Sequence, residues 1–405
     1  MERAVSGAMA GGAAAAAPRR RIPRSDQDYT EEMAAQRRAF AREQTGANLS
    51  HLAHYDLDPA SVSGNIENFI GVAQVPIGLA GPLRVRGEHA NGDFYVPLAT
   101  TEGTLVASYN RGMRVLTACG GVRATVVERS MQRGPVFMFS DAVAARDFGR
   151  WVSEHLASIR GAAEATTRVG KLVDIGQYQV GPLRYLRFNY TTGDAAGQNM
   201  TGKATYAACQ WIKASHPDRL QYILSGNIDT DKKHSQMNVL QTRGRRVVAE
   251  AVLRKDVLEQ IVGVSPKKFF HHRQISQAGT FLAGSANNGA HAANALAALF
   301  IATGQDAANV AESHAAITYS QLLDDGDYYW SITLPSLIVA TYGGGTSLGT
   351  QKQCLELLGC TGQGSADKFA EICAAVVLAG EISLAGAILH DDWVSSHERL
   401  GRNRK

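Results

Sequence analysis

Apolar and polar positions divide this chain into helical and extended stretches that alternate along most of its length. Tyr29 to Gln44 is only loosely periodic, but Ser25 and Asp26 supply start signals and Gly46 a stop, so a short helix is predicted. Glu67 to Leu83 is rich in β-formers and punctuated by Gly71, Pro76, Gly78, Gly81 and Pro82, which reads as strand and turns. A helix is expected to open near Gly103 and run on through Arg114, with Thr100 or Thr101 as its cap and Glu102 at its positive end. Partial alternation over Arg123 to Phe139 predicts strands. Phe148 to Thr166 reads as a helix, and Lys171 to Val180 and Leu183 to Tyr190 as two strands. Gly193 to Asn199 is a glycine-punctuated turn into a helix ending near Ala214, which makes Gly134 to Leu220 a compact α+β unit. Beyond it, the pattern predicts a strand over Val247 to Val252, a helix over Ala290 to Thr303, and strands near Tyr328 to Leu337. A turn at Gly343-Gly344-Gly345-Thr346 and a long apolar helix over Phe369 to Leu389 complete the pattern.

Composition narrows the class. The 405 residues suffice for two or three domains, and 45% apolar content is that of a folded globular chain. The formal net charge is +4, with much of the excess in Arg19-Arg20-Arg21 and Arg402-Asn403-Arg404-Lys405. That excess is too small to indicate nucleic acid, although it suits polyphosphate ligands. The five cysteines are scattered and form no CxxC, which points to a reducing, cytoplasmic setting without a disulfide frame. No His/Cys spacing supports zinc, so no metal is expected. Residues 1–25 read as a disordered tail, because the Ala/Gly stretch precedes the basic cluster, the reverse of a signal peptide. Glu371 and Glu381 interrupt the most apolar window, so it is expected to be a buried core helix of a soluble protein.

Candidate chemistry lies in polar segments that each have an ordinary reading. Glu102 within Thr100-Thr101-Glu102-Gly103 is either a helix-start carboxylate or an acid placed for proton transfer. Neither GxGxxG after a strand nor GxxxxGK[ST] is present. A nucleotide would need another loop, and two offer themselves. Thr167-Arg168-Val169-Gly170-Lys171 carries two cations, and Gly193 to Asn199 presents amides at a helix start. Ser225 to Lys233 gathers two carboxylates and two ammoniums, ordinarily a solvated loop. Asp306 follows an apolar helix, and His397 lies in a polar tail.

Read jointly, these segments resemble the catalytic region of 3-hydroxy-3-methylglutaryl-CoA (HMG-CoA) reductases over roughly residues 50–405. The resemblance rests on Glu67-Asn68-Phe69-Ile70-Gly71, on Pro76 to Leu83, and on the Thr-Thr-Glu-Gly run. Gly193 to Asn199, Asp231-Lys232-Lys233, Gly304-Gln305-Asp306, Gly343 to Thr346 and Ser396-His397 follow in the family's order. It implies an α+β fold in which a large substrate domain (67–133 and 223–390) is interrupted by a smaller α+β NADP-binding domain (134–222). A helical segment (26–66) precedes these, and a mobile C-terminal flap (391–405) follows.

The implied activity is reduction of HMG-CoA to mevalonate and free CoA with two NADPH, a step of isoprenoid biosynthesis. The implied catalytic residues are Glu102 as proton donor, Lys232 as the cation beside the carbonyl oxygen, Asp306 coupled to both, and His397 as donor to the departing sulfur. Arg133, Ser225, Asn227, Asp231 and Lys233 match residues that grip the hydroxymethylglutaryl group, with Asn294 as a supporting amide. Ser108, Asn110, Arg111 and Arg114 match contacts to CoA phosphates. Thr167, Arg168 and Lys171 match a 2′-phosphate site, and Asp194, Ala195, Ala196, Gly197, Gln198 and Asn199 match the nicotinamide nucleotide loop.

Two departures stand out. Asn288-Gly289-Ala290-His291 replaces the family's usual Phe-Asn-Ala-His, and the membrane-spanning region of animal and fungal members is missing. A homodimer or higher homo-oligomer is implied, with the active site across its interface. One rival, NAD-dependent mevalonate oxidation, uses the same catalytic residues; a second, a non-catalytic CoA-binding paralogue, predicts loss of one of Glu102, Lys232, Asp306 or His397, and none is lost. A third rival is an interaction protein in which these loops are merely surface.

Overall fold

The computed structural model describes residues 21–285 and 287–390. The expectations for residues 1–20, for the flap at 391–405 and for His397 lie outside the described residues. The chain divides into two compact units, one ending at Gln74 and the other starting at Val75, whereas the resemblance implies a boundary at residue 67.

The described part of the first unit is built on α1 (Glu31–Thr45). Thr30 caps it by accepting from the Met33 amide, and Gly46 ends it in the left-handed conformation. Ser25 is therefore not the cap; it forms a local turn with Gln27 and Asp28. Arg37 is buried and donates to the carbonyls of Pro23, Asp28 and Phe69, which ties the flanking irregular chain to the helix.

The second unit is a mixed α+β body. Its strands are β1 (Ile77–Gly87), β2 (Asn91–Ala99), β3 (Val122–Arg133), β4 (Val136–Met138), β5 (Leu172–Val180), β6 (Leu183–Tyr190), β7 (Gln221–Ile223), β8 (Gly244–Leu253), β9 (Ile317–Leu322) and β10 (Tyr328–Leu337). Its helices are α2 (Leu105–Ala118), α3 (Ala142–Glu154), α4 (Leu156–Glu164), α5 (Gln198–Ser215), α6 (Gln236–Leu240), α7 (Lys255–Ile261), α8 (Pro266–Leu282), α9 (Ala292–Thr303), α10 (Val310–Ser313), α11 (Gly349–Leu357) and α12 (Ser365–Leu389). The strands join in the order β7-β4-β6-β3-β8-β10-β9, with the β1–β2 hairpin on β3 and β5 on β6.

Strand β3 is the joint of this body. Its first part pairs with β8 and β1, and its last residues, Met131 to Arg133, pair with β6. Two apolar cores form on either side. One gathers Phe137, Phe148, Leu186, Phe188, Tyr190, Ile212 and their neighbours from 137–220. The other collects residues 80–126 and 247–385 around α12.

Three differences from the sequence pattern have local causes. Thr100 accepts the Glu102 amide in a tight turn, and Thr104 takes a left-handed conformation (φ 74°), so α2 starts at Leu105 and Glu102 stands before it. The segment read as one helix over Phe148 to Thr166 is two helices broken at His155, and Asp141 caps the first of them. Strand β9 and helices α7, α8 and α11 show too little periodicity to be read from the pattern.

Helix α12 has the length of a membrane span and its most apolar 18-residue stretch a mean hydropathy of 2.2, yet Phe369 to Ser383 is wholly buried within the unit. Its two interior carboxylates each satisfy backbone amides. Glu371 accepts from Glu88, His89 and Ala90 in the β1–β2 turn. Glu381 accepts from Ala290 (2.8 and 3.0 Å) and His291 (2.7 Å) at the start of α9. Burial pushes the Glu381 carboxyl above the usual carboxylate range, and the amides it accepts oppose that shift. A Cβ on Gly289 would lie 2.9 Å from Glu381 Oε1, so the loop needs glycine to come this close. The departure at Asn288 also has a role. Its side chain accepts from the Thr318 amide (2.6 Å) and donates to the Thr318 carbonyl (3.0 Å), extending the pairing of β9.

Glu381→Ala leaves these amides without an acceptor in a dry site, so it is expected to cost about 3 kcal/mol or more. Glu381→Gln, which keeps one acceptor oxygen, costs less. Urea denaturation followed by circular dichroism measures both; equal stability for Glu381→Ala and the parent rules out the anchoring role.

Candidate active site

The loop from Ser225 to Lys233 is the most constrained exposed segment in the second unit. Asn227, Thr230 and Lys232 all have left-handed backbones, at φ 66°, 56° and 54°. Each such residue is uncommon outside glycine and needs outside support. Buried side chains supply it. Arg187 donates to the Ile228 carbonyl and Arg243 to the Asp229 carbonyl. Asn238 donates to the carbonyls of Thr230 and Lys233 and accepts from the Thr230 hydroxyl. Glu312 accepts the Lys232 amide at 3.1 Å. At the tip, the Lys232 ammonium lies 2.8 Å from Asp306 Oδ2, with both side chains less than half exposed. The hydrogen bond to Asp306 raises the Lys232 pKa above its ordinary value, against the effect of burial.

Asp306 is placed by its own turn, where its carboxylate accepts from the Ala308 amide just beyond the end of α9. At the other end of α9, Asn294 donates to Glu102 Oε2 at 3.0 Å. Glu102 and Asn294 face a groove of about 460 Å³ whose walls include Val75, Leu105, Ala298 and Ile301. Among the described residues, no hydrogen bond or ion pair links Glu102 to Lys232 or Asp306. The reason is geometric: Asn294 and Thr303 are separated along α9 by roughly 14 Å of helical rise. One chain thus presents two polar pairs at opposite ends of one helix.

The other candidate residues fall into groups. Arg133, at the joint of β3, pairs with buried Asp229 (3.2 Å) and donates to the Gln198 carbonyl (3.4 Å); Ser225 donates to the same Asp229 oxygen. Asp231 pairs with buried Arg243 (2.6 Å) and accepts from Gln198, so it faces inward, whereas Lys233 and Asn227 are exposed. On α2, Ser108 and Arg111 both bond Ser383 of α12, and Asn110 accepts from the Gly81 amide. Arg114 is the exposed member of that set.

The two loops read as nucleotide candidates lie together. The Thr191 amide donates to the Lys171 carbonyl and the Lys171 amide to the Thr191 hydroxyl, and a Cβ on Gly170 would meet the Met200 sulfur of α5 at 2.5 Å. Gly197 takes φ 87° and opens α5, with Gln198 as its first residue. Arg168 is exposed in the same loop, while Lys171 is paired with Glu164 at 3.0 Å and Thr167 accepts from the Val169 and Gly170 amides. Ala195, Ala196 and Asn199 complete the turn. The Asp194 carboxylate turns away and accepts from Gly364 and Ala366 at the start of α12. A loop carrying an exposed guanidinium, packed through Gly170 on a helix start, fits a phosphorylated nucleotide.

Residues 33–402 match the hydroxymethylglutaryl-coenzyme A reductase family. The chain belongs to this family. It is similar to the 3-hydroxy-3-methylglutaryl-coenzyme A reductase of Pyrococcus abyssi, 43% identical over 374 residues, covering 90% of this chain and 92% of the relative. The Aeropyrum pernix reductase is 44% identical over 379 residues, covering 92% and 90%. Reductase 1 of Dictyostelium discoideum is 36% identical over 378 residues, 90% of this chain and 68% of that protein. Among solved structures, the fold is similar to the class II reductase from Streptococcus pneumoniae bound to NADPH in open conformations. That likeness has a TM-score of 0.67 at 20% identity and covers 87% of this chain and 86% of that one.

For this reductase-family chain the structure adds residues that spacing does not reveal. Arg187, Asn238, Arg243 and Glu312 carry no motif; Arg187 and Glu312 reach the loop from distant segments, whereas Asn238 braces Thr230 and Lys233 from just beyond it. The only sequence signal was charge within otherwise apolar surroundings, as at Glu312 in Val310-Ala311-Glu312-Ser313.

Proposed function

We propose that this chain reduces (S)-HMG-CoA to mevalonate and free CoA with two NADPH, as a step of the mevalonate pathway toward isoprenoids. The observation that carries this reading is the Lys232–Asp306 ion pair held on a strained, fully braced loop. A hydride added to the thioester carbon leaves negative charge on the carbonyl oxygen, and a fixed ammonium is what that oxygen needs. Glu102, oriented by Asn294, then supplies the proton. Breaking the C–S bond of the resulting hemithioacetal returns its hydroxyl proton to Glu102 and gives an aldehyde and a thiolate, and His397 protonates the thiolate. A second hydride and proton convert the aldehyde to the primary alcohol. NADPH supplies the hydrides when bound, and Arg168 and the amides opening α5 hold its phosphates. Arg133, Ser225, Asn227, Asp231 and Lys233 hold or orient the hydroxymethylglutaryl end, and Arg114 with Ser108, Asn110 and Arg111 meets the CoA phosphates.

We further assign the working unit as a cytoplasmic homodimer. The Glu102–Asn294 pair and the Lys232–Asp306 pair lie about a helix length apart in one chain, so a thioester touching both acid and ammonium is best served by two copies. The two-copy reading places the acid of one protomer opposite the ammonium loop of its partner.

Nicotinamide absorbance with HMG-CoA and each reduced cofactor tests the reaction. Lys232→Ala is expected to stay folded, because its ion pair is partly exposed, and to lose about 10²–10³ in rate. An undiminished rate removes the assignment. Arg168→Ala should raise KM for NADPH several-fold more than KM for NADH; an equal rise, or a parent enzyme preferring NAD in mevalonate oxidation, removes the 2′-phosphate site. Refolding inactive Glu102→Ala with inactive Lys232→Ala should restore roughly a quarter of parent activity if sites are shared between protomers. No recovery in verified mixed dimers shows that each chain carries a whole site.

A further inference from the structure

We propose that Glu312 is a positioning residue that fixes the Lys232 ammonium and the Asp306 carboxylate in register from behind. This rests on the reading of Lys232 and Asp306 as catalytic.

Glu312 is fully buried on α10, and a single oxygen, Oε1, serves both halves of the pair. It accepts the Lys232 amide at 3.1 Å and the Asn309 side-chain amide at 3.1 Å. Asn309 closes the turn that Asp306 opens, since its own amide donates to the Asp306 carbonyl at 3.0 Å. Moving that oxygen therefore shifts the backbone under the ammonium and the turn under its carboxylate together. Lys232 cannot hold its left-handed backbone unaided. The third donor to the same oxygen is Arg243 Nε at 3.4 Å.

The charges around the pair add a second effect. Asp231, Glu312 and Asp306 face Lys232, while Arg243 is shared between Asp231 and Glu312. Three carboxylates thus face two cations, and the excess favours the protonated ammonium. Glu312 Oε2 is buried with no hydrogen-bond partner among the described residues, and burial raises its carboxyl above the ordinary carboxylate range, against the Lys232 amide and Arg243, which favour the charged form. Other titratable neighbours are Lys233, which donates to the Asp231 carbonyl, and His234 and His314, whose rings lie tilted at 51° with centroids 5.3 Å apart. Among the described residues neither histidine ring bonds Lys232, Asp306 or Glu312; His314 bonds the Val310 carbonyl.

Glu312→Gln keeps the shape and one acceptor oxygen but removes the charge. Two readouts apply. In steady-state assays kcat should fall about ten- to hundredfold with KM for HMG-CoA changed far less, because the defect is one of alignment. Independently of activity, acetic anhydride acetylates only the unprotonated amine, so peptide mass spectrometry across pH reports the Lys232 titration. That titration should move to lower pH in Glu312→Gln, because the carboxylate charge and the alignment with Asp306 are lost together. Asn309→Ala, which cuts only the Asp306 side, should move both readouts in the same direction by less.

An unchanged Lys232 titration in folded Glu312→Gln overturns the proposal. Should Glu312→Gln fail to fold, an unchanged titration in Asn309→Ala does so. If the titration shifts as expected but the parent shows no reduction of HMG-CoA, the proposed reaction fails while the positioning role stands.

Discussion

The interaction on which the site depends is the buried carboxylate of Glu381 accepting the amides at the start of α9. A helix start carries unsatisfied N–H groups and partial positive charge, and in a dry interior both need an acceptor. Glu381 supplies it from the middle of the neighbouring helix α12, where a carboxylate would otherwise be an expensive defect. The bond locates α9 along its own axis, and α9 carries Asn294 at one end and leads into Asp306 at the other. His291 next to it stacks on Tyr109 of α2 at 4.7 Å, and the Tyr109 hydroxyl donates to the His291 carbonyl, so α2 is tied to the same point. Close packing allows the crossing: a Cβ on Gly112 of α2 would meet the Ala379 carbonyl at 1.9 Å.

Helix α12 thereby acts as a spine whose polar residues are all spoken for. Asp194 accepts from its first amides, Asp367 pairs with Arg129 and Arg245, Glu371 holds the β1–β2 turn and Glu381 holds α9. Arg245 also donates to the Gly193 carbonyl, which connects the spine to the turn that opens α5. Loops that carry candidate chemistry are thus fixed to one apolar rod by carboxylates and guanidiniums, an arrangement that keeps separate segments in a common frame.

Local punctuation made much of this legible from the chain. The strands β5 and β6, the glycine turn into α5 and the stop at Gly46 follow from residues within a few positions of one another. Glu371 and Glu381 were readable as signs of a core helix, because a spanning helix would not place two carboxylates in its middle. What they bind was not readable, since Glu88 to Ala90 and Ala290 to His291 lie far away in sequence. The start of α2 was misplaced for a related reason: Thr100 could cap a helix or turn back on Glu102, and only the left-handed Thr104 decides between them. The candidate residues carried by motifs were legible in the chain; those that brace them were not, because burial of Arg243 or Glu312 is a tertiary fact.

The bracing explains how an exposed polar loop can hold a strained shape. Three left-handed non-glycine residues would cost on the order of 1–3 kcal/mol each if the loop were free to relax. Arg187, Asn238, Arg243 and Glu312 oppose that relaxation with hydrogen bonds made in a buried setting, where leaving any of them unmade carries its own penalty. Surface ion pairs contribute little stability, so the Lys232–Asp306 contact does not hold the loop together. The order of cause is the reverse. The interior fixes the backbone, the backbone presents the ammonium, and the carboxylate from the α9 turn meets it already aligned. Water at the tip would otherwise let an exposed lysine sample many rotamers, and a group that must meet developing charge without reorganising has no use for that freedom.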